Sequence, residues 1–337
     1  MNRSAFVAFI HATFFGEKKE IASLVLHSTP TTGPTHTLIL TRHGDSIWNG
    51  KHVGCKETFT GWTDVPLSPL GEKEAIRTGE ILADLTREVE IDALFTSTLS
   101  RAKMTAHYVW WAYNENLEEQ YRREKHYQYY NRPGNMPQQN SMQYQGPAQW
   151  LADYRLNERH YGSLQGLVKV EAERGDFGHS ADEVYKWRRS WHAKPPILDD
   201  DDPRRLEERR RFGPICGLEN IPRGESLNCV AKNRIRPFVE EKLTPLLEEA
   251  ARRKPGDEGG TALIVAHANS LRALIGVICK ADQNETAAAF SKLEAMKIPT
   301  ASPLVLQFRL VEKQFTPVDS IGEGSNPLPV YPIQYLF

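Results

Sequence analysis

Apolar positions fall into a repeating rhythm of short β-branched runs and longer helical periods. Thr37–Thr41 (TLILT) is short, apolar and followed at once by Arg42-His43-Gly44, so it predicts a buried strand. Ser68-Pro69 then offers an N-cap and a first helical residue. Beyond it, Ala75, Ile76, Gly79, Leu82 and Ala83 share one helical face. Asp92–Ser97 predicts a second strand, with a helix from Ser100-Arg101 to about Trp111. Thr261–Ala266 (TALIVA) is the clearest buried strand, and it runs into His267-Ala268-Asn269-Ser270. Asn269 or Ser270 is the expected cap of the next helix, which carries Leu271, Leu274, Ile275 and Ile278 at helical spacing. Leu304–Leu310 is a last strand. Strands alternating with helices predict an α/β fold: a three-layer sandwich with a mostly parallel sheet covered by helices on both faces.

Some stretches break this rhythm. Residues 1–35 read as an N-terminal extension, 36–312 as a catalytic domain and 313–337 as a C-terminal tail, rich in Pro and Gly from residue 316. Ala5–Phe15 is apolar behind Arg3 but interrupted by His11 and Thr13, and no clean A-x-A site follows, so a disordered tail is expected rather than a signal. Asn116–Trp150 is a polar insertion rich in Tyr, Gln, Asn and Arg, helical at first and then loop. Asp199–Asp202 followed by Arg204-Arg205 reads as a solvated loop of paired charge.

Composition narrows the classes. The formal charge of −1 over 337 residues supplies no global field for nucleic acid or anionic membrane, so any anion must be held by a local basic site. No apolar run approaches the ~18–20 residues that span a bilayer. The four cysteines, Cys55, Cys216, Cys229 and Cys279, form no C-x-x-C pair and suggest neither a disulfide framework nor a zinc site.

The chemistry sits where strands end. In such sheets, sites form beyond the carboxyl ends of the strands. His43 and His267 both follow buried strands, and Arg101 follows a third. A neutral imidazole can attack phosphorus, and neighbouring arginines such as Arg42 offer a planar fork to the transferred group. Leu156-Asn157-Glu158-Arg159-His160-Tyr161-Gly162-Ser163-Leu164-Gln165-Gly166 is dense in donors, with Glu158 the natural acid/base. Trp187-Arg188-Arg189-Ser190-Trp191 suits anion clamping.

In colinear order from about Thr37 to Leu310, these segments resemble the histidine phosphatase superfamily, and within it the cofactor-dependent (2,3-bisphosphoglycerate-dependent) phosphoglycerate mutases. R-H-G marks only the superfamily, whereas L-N-E-R-H-Y-G-S-L-Q-G, W-R-R-S and G-E-S-L are specific to the mutases. The resemblance implies His43 as the phosphorylated nucleophile, Glu158 as acid/base, and Arg42, Arg101 and His267 around the phosphoryl group. It implies ligand contacts at Ser46, Asn49, Thr60, Gly61, Arg159, Tyr161, Lys169, Arg188, Arg189, Ala268 and Asn269. It further implies interconversion of 3- and 2-phosphoglycerate in glycolysis and gluconeogenesis, 2,3-bisphosphoglycerate as phosphoryl primer, no metal, and a homodimer or homotetramer. The expected compartment is cytoplasmic, with organelle targeting by the extension as the alternative. Competing readings are a bisphosphoglycerate synthase or phosphatase, a broader histidine phosphatase, and a non-catalytic phosphoglycerate-binding or scaffold protein. Two departures stand out. Ala268 replaces a usual glycine, which would be strained if its φ were positive. Asp45 replaces a longer acidic or amide residue.

Overall fold

The computed structural model describes residues 33–51, 55–85, 90–130, 149–279, 287–311 and 314–317. Six strands form one sheet: β1 (Thr35–Arg42), β2 (Ala93–Thr96), β3 (Gln149–Ala152), β4 (Glu258–Ala266), β5 (Pro303–Val311) and β6 (Gln314–Pro317). Their spatial order is β3-β2-β4-β1-β5-β6. The first four strands pair in parallel, while β5 runs antiparallel to β1 and β6 antiparallel to β5.

Alternation along the strands builds the layers. Leu38, Leu40, Phe95 and Ile264 point into one core, Ile39, Leu94, Leu263 and Val265 into another. Helices α1 (Pro69–Leu85) and α2 (Ser100–Tyr130) cover the second face. They approach closely because residue 79 is glycine: a Cβ there would lie 2.3 Å from the Val109 carbonyl oxygen. Ser68 caps α1 as its position requires, its Oγ accepting from Gly71 N at 3.1 Å.

The first face is covered by a helical run, α6, from Leu227–Val230 to Thr244–Arg253 and by α7 (Ala268–Ile278). Two π-helical turns, Ala231–Ile235 and Val239–Leu243, interrupt the long run. Each precedes a proline, Pro237 or Pro245, whose missing N–H cannot close an α-type bond. In the chain between β3 and that run come α3 (Lys169–Arg174), α4 (Ala181–Arg189) and α5 (Pro203–Cys216), which pack in clusters apart from the two sheet faces; α8 (Ala287–Ala295) precedes β5.

Several boundaries differ from the sequence reading. Helix α2 continues through Tyr130 rather than ending near Trp111, so it takes up the start of the polar insertion. Residues 131–148 of that insertion, residues 1–32 and residues 318–337 lie outside the described residues. The insertion's last residues enter β3, pairing Leu94 with Trp150 at the sheet edge. Its pattern is almost wholly exposed, which is why alternation did not reveal it. The segment after β5 also returns as β6, pairing Leu310 with Phe315. Helix α5 was hidden by its charge (PRRLEERRRFGPIC); its start is marked by Asp202, which accepts from Arg204 N at 2.8 Å. Asp199, Asp200 and Asp202 are ion-paired with arginines, as the charged-loop reading expected. The four cysteines are free thiols.

Candidate active site

Register brings the two histidines together. Arg42 of β1 pairs with Ala266 of β4, so the next residue of each strand, His43 and His267, emerges at the same level of the sheet. Their ring centroids are 5.0 Å apart. His43 Nδ1 lies 2.7 Å from the Gly44 carbonyl oxygen. A carbonyl can only accept, so Nδ1 carries the proton and Nε2 the lone pair. Burial, then Arg101 and Arg42, hold the His43 pKa well below the ordinary histidine value, so the imidazole is neutral at pH 7. Gly44 is required by close approach: a Cβ there would lie 2.4 Å from the Gly71 carbonyl oxygen.

His267 is fully buried, with Nε2 2.7 Å from Ser97 Oγ at the end of β2 and Nδ1 without a protein partner. Burial, Arg101 and His43 hold its pKa well below the ordinary value too. The helix beyond it begins at Ala268, so the cap is His267 itself rather than Asn269 or Ser270, and Ser270 Oγ accepts from His267 N at 3.1 Å.

Arginines surround this pair. Arg101, at the start of α2, is 1% exposed and donates from Nη1 to Thr63 O at 3.0 Å and from Nη2 to Gly61 O at 2.9 Å. Burial lowers its pKa to about 10, which still leaves it charged at neutral pH. Arg42 donates from Nη1 to Ile298 O at 3.1 Å. The Nε of both arginines is buried with no protein acceptor. Buried polar groups are nearly always paired, so these donors, beside a neutral nucleophile, match an anionic ligand.

Glu158 arrives on a heavily braced loop. Asn157 Oδ1 accepts from Thr98 N at 2.9 Å and Thr98 Oγ1 at 2.8 Å, and Trp62 Nε1 donates to Glu158 O at 2.8 Å. The Glu158 carboxylate accepts from Arg159 N at 2.8 Å and from Asn269 N, in the first turn of α7, at 3.3 Å; both bonds end on Oε1. His160 and Gly162 of the same segment are architecture. His160 Nε2 lies 3.0 Å from Glu208, while its Nδ1 accepts from Gly162 N at 2.9 Å. Gly162 has φ +59°, and a Cβ would lie 1.9 Å from Pro196 O. Behind the loop, Arg234 forms a two-pronged ion pair with Glu225, both contacts 2.8 Å. The G-E-S-L segment is thus a brace for the acid/base loop.

These elements enclose a cavity of about 420 Å³. Thirteen of the sequence-predicted residues lie on its wall: Arg42, His43, Asn49, Thr60, Gly61, Arg101, Glu158, Tyr161, Lys169, Arg188, Arg189, Ala268 and Asn269. Three do not. Ser46 is buried and bonds the side chain of Asn49, which places it behind that residue. Arg159 is turned away, donating from Nη2 to Arg188 O at 2.9 Å and lying 4.7 Å above the Tyr161 ring. His267 reaches the site through its contact with His43.

Sequence reasoning missed Trp48, Glu57, Thr58, Arg272 and the segment Met296–Pro299, all on the wall. Arg272 donates to Asn269 Oδ1 and to Met296 O, each at 2.5 Å, and burial lowers its pKa to about 10. Its signal was present: a lone charge in the apolar face pattern of α7, one turn after Asn269. Seven lysines or arginines line the cavity against two carboxylates, Glu57 and Glu158. Among the described residues the only non-glycine with positive φ is Ala301, so Ala268, first residue of α7, carries no left-handed strain. Among the described residues no group of three or more His, Cys, Asp or Glu could hold a metal ion, and no helix is long and apolar enough to cross a membrane.

Residues 38–127 match the family model of the histidine phosphatase superfamily (branch 1). The chain is 35% identical over 295 residues to a 2,3-bisphosphoglycerate-dependent phosphoglycerate mutase of Thermobifida fusca (strain YX), covering 86% of this chain and 93% of that protein. A protein of the same name from Bifidobacterium longum (strain DJO10A) is 33% identical over 297 residues, covering 87% and 93%. In fold, the chain is similar to a mycobacterial glucosyl-3-phosphoglycerate phosphatase complexed with VO3, with TM-score 0.50, 21% identity and coverage of 83% of this chain and 95% of that one. This chain belongs to the histidine phosphatase superfamily and, within it, to the family of 2,3-bisphosphoglycerate-dependent phosphoglycerate mutases.

Proposed function

We propose that this protein interconverts 3-phosphoglycerate and 2-phosphoglycerate through a phosphorylated His43. The observation that carries the reading is a neutral imidazole, its Nε2 lone pair uncommitted, on the wall of a cavity rich in cations.

The primer fits the donors present: Nε of Arg42 and Arg101 are buried without protein partners around the nucleophile. When bound, 2,3-bisphosphoglycerate supplies the phosphoryl group that charges His43. The charged His43 transfers that group to the C2 hydroxyl of 3-phosphoglycerate, the P–N bond breaking as the P–O bond forms, and Glu158 takes the hydroxyl proton. In the second half, His43 Nε2 accepts the phosphoryl group from the C3 oxygen. Glu158 returns its proton there, and 2-phosphoglycerate leaves. Arg42, Arg101 and His267 stabilise the charge on the transferring oxygens. Tyr161, Asn269, Lys169, Arg188, Arg189 and Arg272 hold the substrate carboxylate and outer phosphate. Burial of His43 (4% exposed) and Arg101 (1%) keeps water from the phosphorylated imidazole.

An enolase-coupled assay with and without 2,3-bisphosphoglycerate tests this, together with peptide mapping of acid-labile phosphate. The expected result is primer-dependent turnover and phosphate on His43. Primer-independent hydrolysis of phosphate monoesters would instead make the protein a phosphatase, and phosphate on His43 without turnover would make it a binding protein.

A further inference from the structure

The two ends of the cavity satisfy their cations differently. Toward His43, Arg42 and Arg101 each keep a buried Nε with no protein acceptor. At the outer wall, Lys169 Nζ lies 2.5 Å from a Glu57 carboxylate oxygen, and Arg188 is ion-paired with Glu173. Glu57 is itself part of the cavity wall, so a negative charge stands where an anion is to bind.

That charge is held in place by backbone. Lys169 N donates to Glu57 O at 2.8 Å and Phe59 N to Leu167 O at 2.9 Å, and Thr58 and Val168 form an antiparallel bridge. Lys56 and Glu171, on the same two segments, pair at 2.5 Å. Burial works to raise the Glu57 carboxyl, but Lys169, Arg188 and Arg42 outweigh it and hold the pKa below the ordinary carboxylate value. Glu57 is therefore an anion at neutral pH. Its side chain is 52% exposed and that of Lys169 19%, so the pair is one that a competing anion can exchange.

We propose that Glu57 is a specificity-determining residue, a built-in counter-carboxylate that competes with the ligand for Lys169 and weakens the outer anion subsite relative to the inner one. The inference rests on the phosphoglycerate reading above and deepens it. An anion with a single charged group, such as inorganic phosphate, is served by the inner end and does not meet Glu57. A ligand with a second anionic group must displace Glu57 from Lys169. Its ground-state binding is discounted at the outer end, so a ligand charged at both ends is released rather than trapped.

Calorimetric titration of the wild-type protein, Glu57→Gln, Glu57→Ala and Glu57→Asp with inorganic phosphate and with 3-phosphoglycerate decides it. Removal of the charge in Glu57→Gln or Glu57→Ala is expected to tighten 3-phosphoglycerate about tenfold at low salt, while phosphate changes less than about twofold. Glu57→Asp stays near wild type, and the gap shrinks as salt rises. Equal 3-phosphoglycerate affinity in all four proteins would overturn the inference, as would parallel tightening of phosphate. Phosphate binding to every protein with no 3-phosphoglycerate binding to any would overturn the phosphoglycerate reading, and this inference with it.

Discussion

Arginines lie on both sides of Glu158, one behind its loop and two in front, and they are satisfied in opposite ways. Behind the loop, each of the five N–H groups of Arg234 has an acceptor: Glu225 twice, and the carbonyls of Arg155, Asn157 and Glu158, at 2.7–3.2 Å. In front of it, Arg42 and Arg101 lack an acceptor at Nε. All three are cations in similar surroundings. Arg234, whose acceptors all come from its own chain, is a structural brace, whereas Arg42 and Arg101 have a donor to spare and also line the cavity, the combination that suits an anion from outside. The W-R-R-S, R-H-G and G-E-S-L segments look alike as charged motifs, and this difference separates them.

The strongest way to break the comparison is at the nucleophile. His43→Asn is expected to lower turnover by about 10⁴-fold or more and to abolish acid-labile phosphate, with an unchanged circular dichroism spectrum. Retained turnover would remove the front arginines' assigned role. Next is the brace. Arg234→Met leaves Glu225 buried and unpaired and is expected to cost about 3–5 kcal/mol in urea unfolding. Arg101→Gln should behave differently. Without ligand its stability should fall less than that of Arg234→Met, because the loss of its bonds to Thr63 O and Gly61 O is offset by removal of a buried cation with an unmet donor. It should instead lose the stabilisation that phosphate at ~100 times its Kd confers on the wild type, about 2.7 kcal/mol.

Proton linkage sharpens the contrast at a smaller scale. His43, His267 and His36 all have folded-state pKa values below their unfolded ones, and that of His36 falls to about 4. The unfolded chain therefore binds more protons below pH ~6.5, and stability is lost as pH falls from there. Each such histidine contributes about 1.4 kcal/mol per pH unit within its window. For His36 the loss ends near pH 4. Denaturant midpoints at pH 7 and 5.5 measure it, and a flat profile would contradict burial of neutral imidazoles. The smallest effect is at the turn before β5. Ala301, φ +47°, donates its N–H to Arg42 O at 2.9 Å. Ala301→Gly is expected to raise stability by up to about 1 kcal/mol in the same unfolding assay.

Much of this site was legible along the chain because its pieces are local. A β-branched run ending in R-H-G, another ending in His267, and Ser68-Pro69 each carry their meaning within a few residues. The polar edge strand β3 and the charged helix α5 were not legible, since neither shows an apolar period. Glu57 was illegible for a different reason: its role comes from Lys169, which lies far along the chain.

The sequence by itself determined that buried strands would deliver two histidines and an arginine to one edge of an α/β sheet, because strand period and strand ends are properties of short segments. Only the tertiary structure decided which of the charged residues face the ligand. It moved Ser46 and Arg159 behind the wall, brought Arg272 and Glu57 onto it, and left some guanidinium donors without acceptors while matching others completely. Those outcomes depend on partners such as Ile298 for Arg42, 256 positions away, and hydrogen-bond satisfaction is settled by distance in space rather than along the chain.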